Sequence, residues 1–200
     1  MLDYCYEEAC RKAGYQNICG VDEAGRGCLC GPVCAAAVIL PPDWNHPALN
    51  DSKKLSPKKR EQLFDEIIEN ALAYAIGWGS VEEIDEINIL NAAMLAMRRA
   101  IAGMPIQADF ALVDGNIARD FPIPTKTIIG GDALSPSIAA ASILAKVSRD
   151  RLCEEMDREY PAYKIGAHKG YCTKVHREAI LQFGPAPIHR KTFLKKILGE

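Results

Sequence analysis

The chain of 200 residues is 48% hydrophobic with a net charge of −2, which suits one folded domain with a full core. No run of about 18 apolar residues occurs, which excludes a membrane-spanning helix. The N-terminal stretch MLDYCYEEACRKAG carries charges where a secretory leader would be apolar, so the expected compartment is the cytoplasm.

In chain order, QNICGV (16–21) predicts a short strand that stops at the carboxylates Asp22 and Glu23. VCAAAVIL (33–40) predicts a second, buried strand closed by Pro41-Pro42. A loop follows, and Ser56-Pro57 opens a helix to about Asn70, with Ser as N-cap and Pro in the first turn. ALAYAIGWGS (71–80) reads as the third strand, and apolar residues at helical spacing predict a helix over 88–102. FALVDG (110–115) is the fourth strand, with Asp114 at its end. TKTIIGGD (125–132) is the fifth, ending in Asp132. Ser135-Pro136 starts a long helix to about Tyr160, whose IAAASILA stretch reads as core packing, and Thr173 caps a last helix ending near Phe183. Short early connections suggest antiparallel pairing, and the later strand–helix–strand alternation suggests parallel pairing. The expected fold class is α/β: a mixed sheet with helices on it.

Eight cysteines stand without a CxxC pair, so zinc-knuckle spacing is missing and reduced thiols are expected, with Cys19 and Cys34 as small core residues. Residues 164–200 hold eight Lys and Arg against two acids, a basic tail that reaches toward phosphate or forms a solvated surface.

The acids Asp22, Glu23, Asp114 and Asp132 all sit at predicted strand ends, which converge on one crevice in an α/β sheet. Four carboxylates there repel unless cations join them. Hard oxygen donors in that number suit Mg²⁺ or Mn²⁺, and two such ions can clamp both oxygens of a phosphodiester displacement. Any one of these acids could be a turn former instead. Gly25-Arg26-Gly27 has the wrong spacing for a dinucleotide loop, and no Walker A sequence occurs.

VDEAGRGCLCGPV, NDSKKLSP, LVDGN, GGDALSPSIAAASILAKVSRDR, HKGYCTKVH and GPAPIHRKTF, in this order over about residues 18–194, resemble the type 2 ribonuclease H family in its bacterial form. The resemblance implies the ribonuclease H-like fold: a five-stranded mixed sheet flanked by helices. It also implies one domain with a catalytic core over 1–160 and a C-terminal helical substrate-binding part over 161–200. The implied activity is metal-dependent endonucleolytic cleavage, with a two-metal site of Mg²⁺ or Mn²⁺. Its substrates are the RNA strand of RNA–DNA hybrids and DNA duplexes containing ribonucleotides. The cut falls 5′ to a single embedded ribonucleotide and leaves 3′-OH and 5′-phosphate ends. The expected state is a monomer. By position, Asp22, Glu23, Asp114 and Asp132 match the metal-binding acids. Gly25, Arg26 and Gly27 match the loop that reads the ribose 2′-OH. Tyr171 matches the tyrosine against the following sugar, and Lys53 matches a phosphate-contacting lysine.

Without the resemblance, Tyr171 reads as a half-buried aromatic and Lys53-Lys54 as a solvated turn. His168, His176 and His189 read as surface or capping residues. Two rivals remain at this stage. The type 3 ribonuclease H family shares the acids but carries an extra N-terminal domain, which the 21 residues ahead of Asp22 are too few to form. A non-catalytic nucleic-acid-binding protein would keep the basic residues but has no use for four convergent acids.

Overall fold

A segment such as VCAAAVI, apolar at every position, cannot present a wet face. It becomes the strand β2 (Val33–Ile39), buried throughout. The computed structural model describes residues 2–44, 46–49, 52 and 55–199. The sheet has five strands: β1 (Ile18–Ala24), β2, β3 (Ala73–Gly79), β4 (Phe110–Asp114) and β5 (Thr125–Ile128), in the order β3-β2-β1-β4-β5. The first three pair antiparallel, and β1–β4 and β4–β5 pair parallel, as the connections predicted.

Helices α1 (Cys5–Lys12), α2 (Pro57–Asn70), α3 (Val81–Ala102), α4 (Pro136–Glu159), α5 (Ile165–His168), α6 (Lys174–Phe183) and α7 (Lys191–Leu198) surround it. Strand alternation sorts the core. Val33, Ala35 and Ala37 pack with Met97 and Ile101 of α3, whereas Cys34, Ala36 and Val38 pack with Leu63 of α2 and Leu144 of α4. Gly20 lets the start of α4 lie directly on β1: a Cβ there would stand 2.0 Å from the Ser137 carbonyl carbon. Asp22, two residues on, is carried on the same face, toward α4.

Local signals held where side chains cap their own helix. The hydroxyls of Ser56, Ser135 and Thr173 accept from the amides of Lys59, Ile138 and His176. Three boundaries differ in ways that bear on the site or its frame. β1 runs on through both acids to Ala24 rather than stopping before them. β5 ends at Ile128, because Gly130 turns left-handed (φ 67°), so Asp132 lies in a single 3-10 turn, Gly131–Ala133. α3 starts seven residues before the expected Asn88, at a Ser80–Glu83 capping box; Asn88 (φ 66°) is a break inside it, its side chain accepting from the amides of Leu90 and Asn91. Helices α1 and α7, not expected from periodicity, are fixed from a distance. Glu7 Oε1 accepts from the Ser135 and Ser137 hydroxyls (2.6 and 2.5 Å), which places its charge at the α4 N-terminus. Asp85 accepts from the amides of Lys191 and Thr192 (2.9 and 3.0 Å). Among the described residues no helix is long and apolar enough to cross a membrane.

Candidate active site

β1 delivers Asp22 and Glu23 to the same end of the sheet at which the parallel neighbour β4 delivers Asp114. These three acids line a cleft of about 220 Å³ together with Gly25, Arg26, Gly27, Ser142, Lys146 and Tyr171. Asp132 is not among its lining residues; it is buried in the 3-10 turn after β5. The four nevertheless form one electrostatic unit. Burial pushes the Asp22 carboxyl well above the ordinary aspartate range, and the charges of Glu23, Asp114 and Asp132 push in the same direction. Burial also raises Glu23, opposed by the Arg26 guanidinium 3.0 Å from its Oε1.

Each cleft acid has a local partner. Asp22 Oδ1 accepts from the Glu23 amide (2.7 Å), Glu23 from Arg26, and Asp114 Oδ1 from the Gly131 amide (2.7 Å). Among the described residues no three His, Cys, Asp or Glu side chains are already gathered into a ready metal cage. The donor chemistry still fits a hard divalent cation: all donors are oxygens, the site is desolvated, and its charges disfavour one another without a counter-ion. Asp22, Glu23, Asp114 and Asp132 could hold it. Lys146, paired with Asp150 at 2.6 Å, is the cation that lines the cleft from α4.

The Gly25-Arg26-Gly27 loop is set from below by two buried arginines. Arg190 donates to the carbonyls of Gly25 (2.8 Å), Arg26 (3.0 Å) and Gly31 (2.9 Å). Burial and the neighbouring Arg149 lower its pKa to about 10, so it stays charged at neutral pH. Because a trans peptide points C=O and N–H in opposite directions, gripping the Gly25 and Arg26 carbonyls turns the amides of Arg26 and Gly27 away from Arg190. Arg149 donates to the carbonyls of Pro32, Cys30 and Lys169. Its side chain fills the space where Gly25 lacks a Cβ: an added atom would lie 1.9 Å from Nε, and Gly25 has φ +96°.

Tyr171 reaches the cleft through a turn in which Lys169 and Gly170 are both left-handed (φ 52° and 83°). Cys28 pairs with Tyr171, and Cys30 with His189, as isolated antiparallel bridges. The segment after the loop is thus stitched to both the 168–171 turn and the 188–190 turn. Tyr171 is 47% exposed and its ring faces Gly27, Cε1 being 4.0 Å from where a Cβ would stand.

The sequence-predicted site residues therefore divide. Asp22, Glu23, Asp114, Gly25, Arg26, Gly27 and Tyr171 come together, Asp132 is buried outside that lining but its charge acts on Asp22, and Lys53 lies outside the described residues. The histidines differ from expectation: His176 and His189 are buried (0% and 2% exposed), and burial lowers both, His176 to about 4. Arg149, Arg190 and Lys146 were missed. The signal for Arg149 was available: it sits amid apolar positions of α4, where a solvated arginine does not belong.

Comparison with known proteins gives a consistent result. The family model for ribonuclease HII matches residues 19–196. The chain is 52% identical over 188 residues to the ribonuclease HII of Syntrophotalea carbinolica, covering 94% of this chain and 90% of that one. Its fold is similar to that of ribonuclease H2 from Pyrococcus horikoshii (TM-score 0.74, 27% identity, 91% of this chain and 97% of that one). It is also similar to Bst-RNase HIII in complex with Mn²⁺ (TM-score 0.68, 18% identity, 96% and 72%), a likeness of fold alone.

Proposed function

Because the chain belongs to the ribonuclease HII family, and so is a ribonuclease H acting on RNA–DNA hybrids, we propose that it cuts 5′ to ribonucleotides, single ones embedded in duplex DNA included, leaving 3′-OH and 5′-phosphate ends. One observation carries this reading: Asp22, Glu23 and Asp114, the Gly25-Arg26-Gly27 loop and Tyr171 line the same cleft. The phosphate to be cut adjoins the sugar to be read, so recognition and chemistry must share one space.

Asp22, Glu23, Asp114 and Asp132 would hold Mg²⁺ or Mn²⁺, and two such cations would supply an activated water and charge neutralisation on the leaving oxygen. The amides of Arg26 and Gly27, turned away from Arg190, hydrogen-bond the 2′-OH, the group that separates RNA from DNA. Lys146 and Arg26 neutralise backbone phosphate. The Tyr171 ring packs on the sugar 3′ to the ribonucleotide, favouring deoxyribose, which has no hydroxyl to place against an apolar face. The C-terminal part, 161–199, contributes Tyr171, and its cations Lys169, Lys174 and Arg177 contact the duplex. Lys53 contacts phosphate as well.

Tyr171→Ala tests the sugar reading. An apolar contact discriminates by about 10–200-fold. The variant should therefore lose most kcat/KM on a duplex with one ribonucleotide and much less on an all-RNA strand paired with DNA. An equal loss on both would reduce Tyr171 to a structural support.

A further inference from the structure

Burying two imidazoles is costly unless every ring nitrogen finds a partner. The fold meets this condition in a way that runs toward the cleft. The Ala186 amide donates to His189 Nδ1 at 3.0 Å. His189 Nε2 lies 3.2 Å from His176 Nε2. His176 Nδ1 lies 3.0 Å from the carbonyl oxygen of Tyr171. The two ends fix the protons. An amide can only donate, so neutral His189 carries its hydrogen on Nε2 and gives it to His176 Nε2. A carbonyl can only accept, so neutral His176 carries its hydrogen on Nδ1. The Ala186 carbonyl, 3.2 Å from His189 Nδ1, offers the reverse pattern. That pattern would set a bare His176 nitrogen against the Tyr171 oxygen, lone pair to lone pair. In the forward series only the longer Nδ1–Ala186 carbonyl contact lacks a hydrogen, and that oxygen already accepts from the His189 amide at 3.0 Å; the reverse leaves both the Ala186 amide and the 3.0 Å Tyr171 contact unmatched.

The pair is walled in. His168 stacks on His176 with ring centroids 4.4 Å apart, its Nδ1 accepting from the Gly170 amide and its Nε2 donating to the Tyr163 carbonyl. The Tyr163 ring packs edge-on to His189 at 4.7 Å. The Tyr171 carbonyl also accepts from the Thr173 amide at 2.8 Å, so its peptide plane is held by two donors. The turn beneath Tyr171 is left-handed at two successive residues and tolerates little slack.

We propose that His176 and His189 are positioning residues for Tyr171: a neutral imidazole pair, hydrogen-bonded in series from Ala186 to the Tyr171 carbonyl, sets where the Tyr171 ring stands over the Gly27 end of the cleft. The inference rests on the reading of Tyr171 as the sugar-facing residue. The histidines touch neither substrate nor the acids; they act through Tyr171.

The test uses the full chain. His176→Phe keeps ring volume and removes both nitrogens. His176→Asn restores a donor at the δ position. His176→Phe should lower kcat/KM on the single-ribonucleotide duplex about tenfold, the equivalent of one hydrogen bond, and change the all-RNA hybrid less. His176→Asn should recover most of the loss. Combined with Tyr171→Ala, His176→Phe should cost no further discrimination, because both act on one element. An equal fall on both substrates, or additivity with Tyr171→Ala, overturns the proposal. Nitrogen-15 NMR of the wild type supplies a readout independent of activity and of whether the variants fold. His176 should be protonated on Nδ1 and His189 on Nε2; the opposite tautomers overturn the series. The two readings also fail separately. If Tyr171→Ala leaves discrimination unchanged, the sugar reading fails. If Tyr171→Ala narrows it and His176→Phe does not, only the histidine inference fails.

Discussion

Asp22→Asn is expected to lower kcat by about 10³-fold or more and, in the metal-free protein at neutral pH, to raise the melting temperature. The rate effect follows from the proposed role of the acids: if Asp22 is a metal ligand, charge stabilisation of several kcal/mol, at about 1.4 kcal/mol per decade, is lost with its charge. The stability effect follows from burial. Asparagine keeps the oxygen that accepts from the Glu23 amide and removes a charge that Glu23, Asp114 and Asp132 oppose. The sign is set by proton binding. The unfolded Asp22 titrates near 3.8, and the folded one holds its proton to higher pH. Across that interval the native state binds more protons, so its stability falls as pH rises, and above the folded pKa the loss is complete. Asparagine has no proton to lose. The difference in Tm between variant and wild type, both in chelator, should be close to zero at pH 3.8 and below and widen as pH rises. A variant less stable than wild type at pH 7, or one with substantial turnover at saturating Mg²⁺, contradicts the assignment.

Gly25→Ala is expected to reduce kcat/KM about 100-fold or more on every substrate and to lower stability by about 2–4 kcal/mol. A single methyl suffices because the space belongs to Arg149, whose Nε and Cδ would lie 1.9 and 2.4 Å from it. Arg149 cannot swing aside cheaply, being buried and committed to the carbonyls of Pro32, Cys30 and Lys169. The loop must move instead, and a misplacement of about 1 Å at a reacting centre costs about 100-fold. Left-handed strain adds about 1–3 kcal/mol. Gly14→Ala isolates that strain: Gly14 has φ +100° with nothing within 4 Å, so its alanine should cost stability and leave the rate unchanged. Circular dichroism melts and kcat/KM on both substrate types decide the matter. A Gly25→Ala enzyme with a normal rate would remove the loop from the chemistry.

What could be read in advance was what residues do by themselves or with close neighbours. Uniformly apolar runs named the strands, and hydroxyls at positions 56, 135 and 173 named three helix starts, each capping an amide three residues on. The acids were visible because four of them follow predicted strands, and turn formation accounts for any one of them more easily than for all four. The framework around them was not. Arg190 reaches back 165 residues to the Gly25 carbonyl, and by residue type alone an arginine is assigned to water. His176 and His189 were read as surface or capping residues because nothing nearby in sequence shows that their ring nitrogens meet. Helix α7 depends on Asp85, 106 residues earlier, for its first amides. Asp132 left its expected strand because Gly130 is free to turn left-handed. For the arginines, the histidines and α7 a tertiary partner decided the outcome; for Asp132 it was the backbone freedom of one glycine.

The most direct test of the central claim is a mapped cut. The chain is incubated with a DNA duplex carrying one ribonucleotide, with Mg²⁺ and with chelator, and the product ends are sequenced and tested for phosphate. The account predicts a single Mg²⁺-dependent incision 5′ to the ribonucleotide, leaving 3′-OH and 5′-phosphate ends, and no incision of the all-DNA duplex. Cleavage that persists in chelator, falls on the 3′ side of the ribonucleotide, or strikes the all-DNA duplex equally would contradict it.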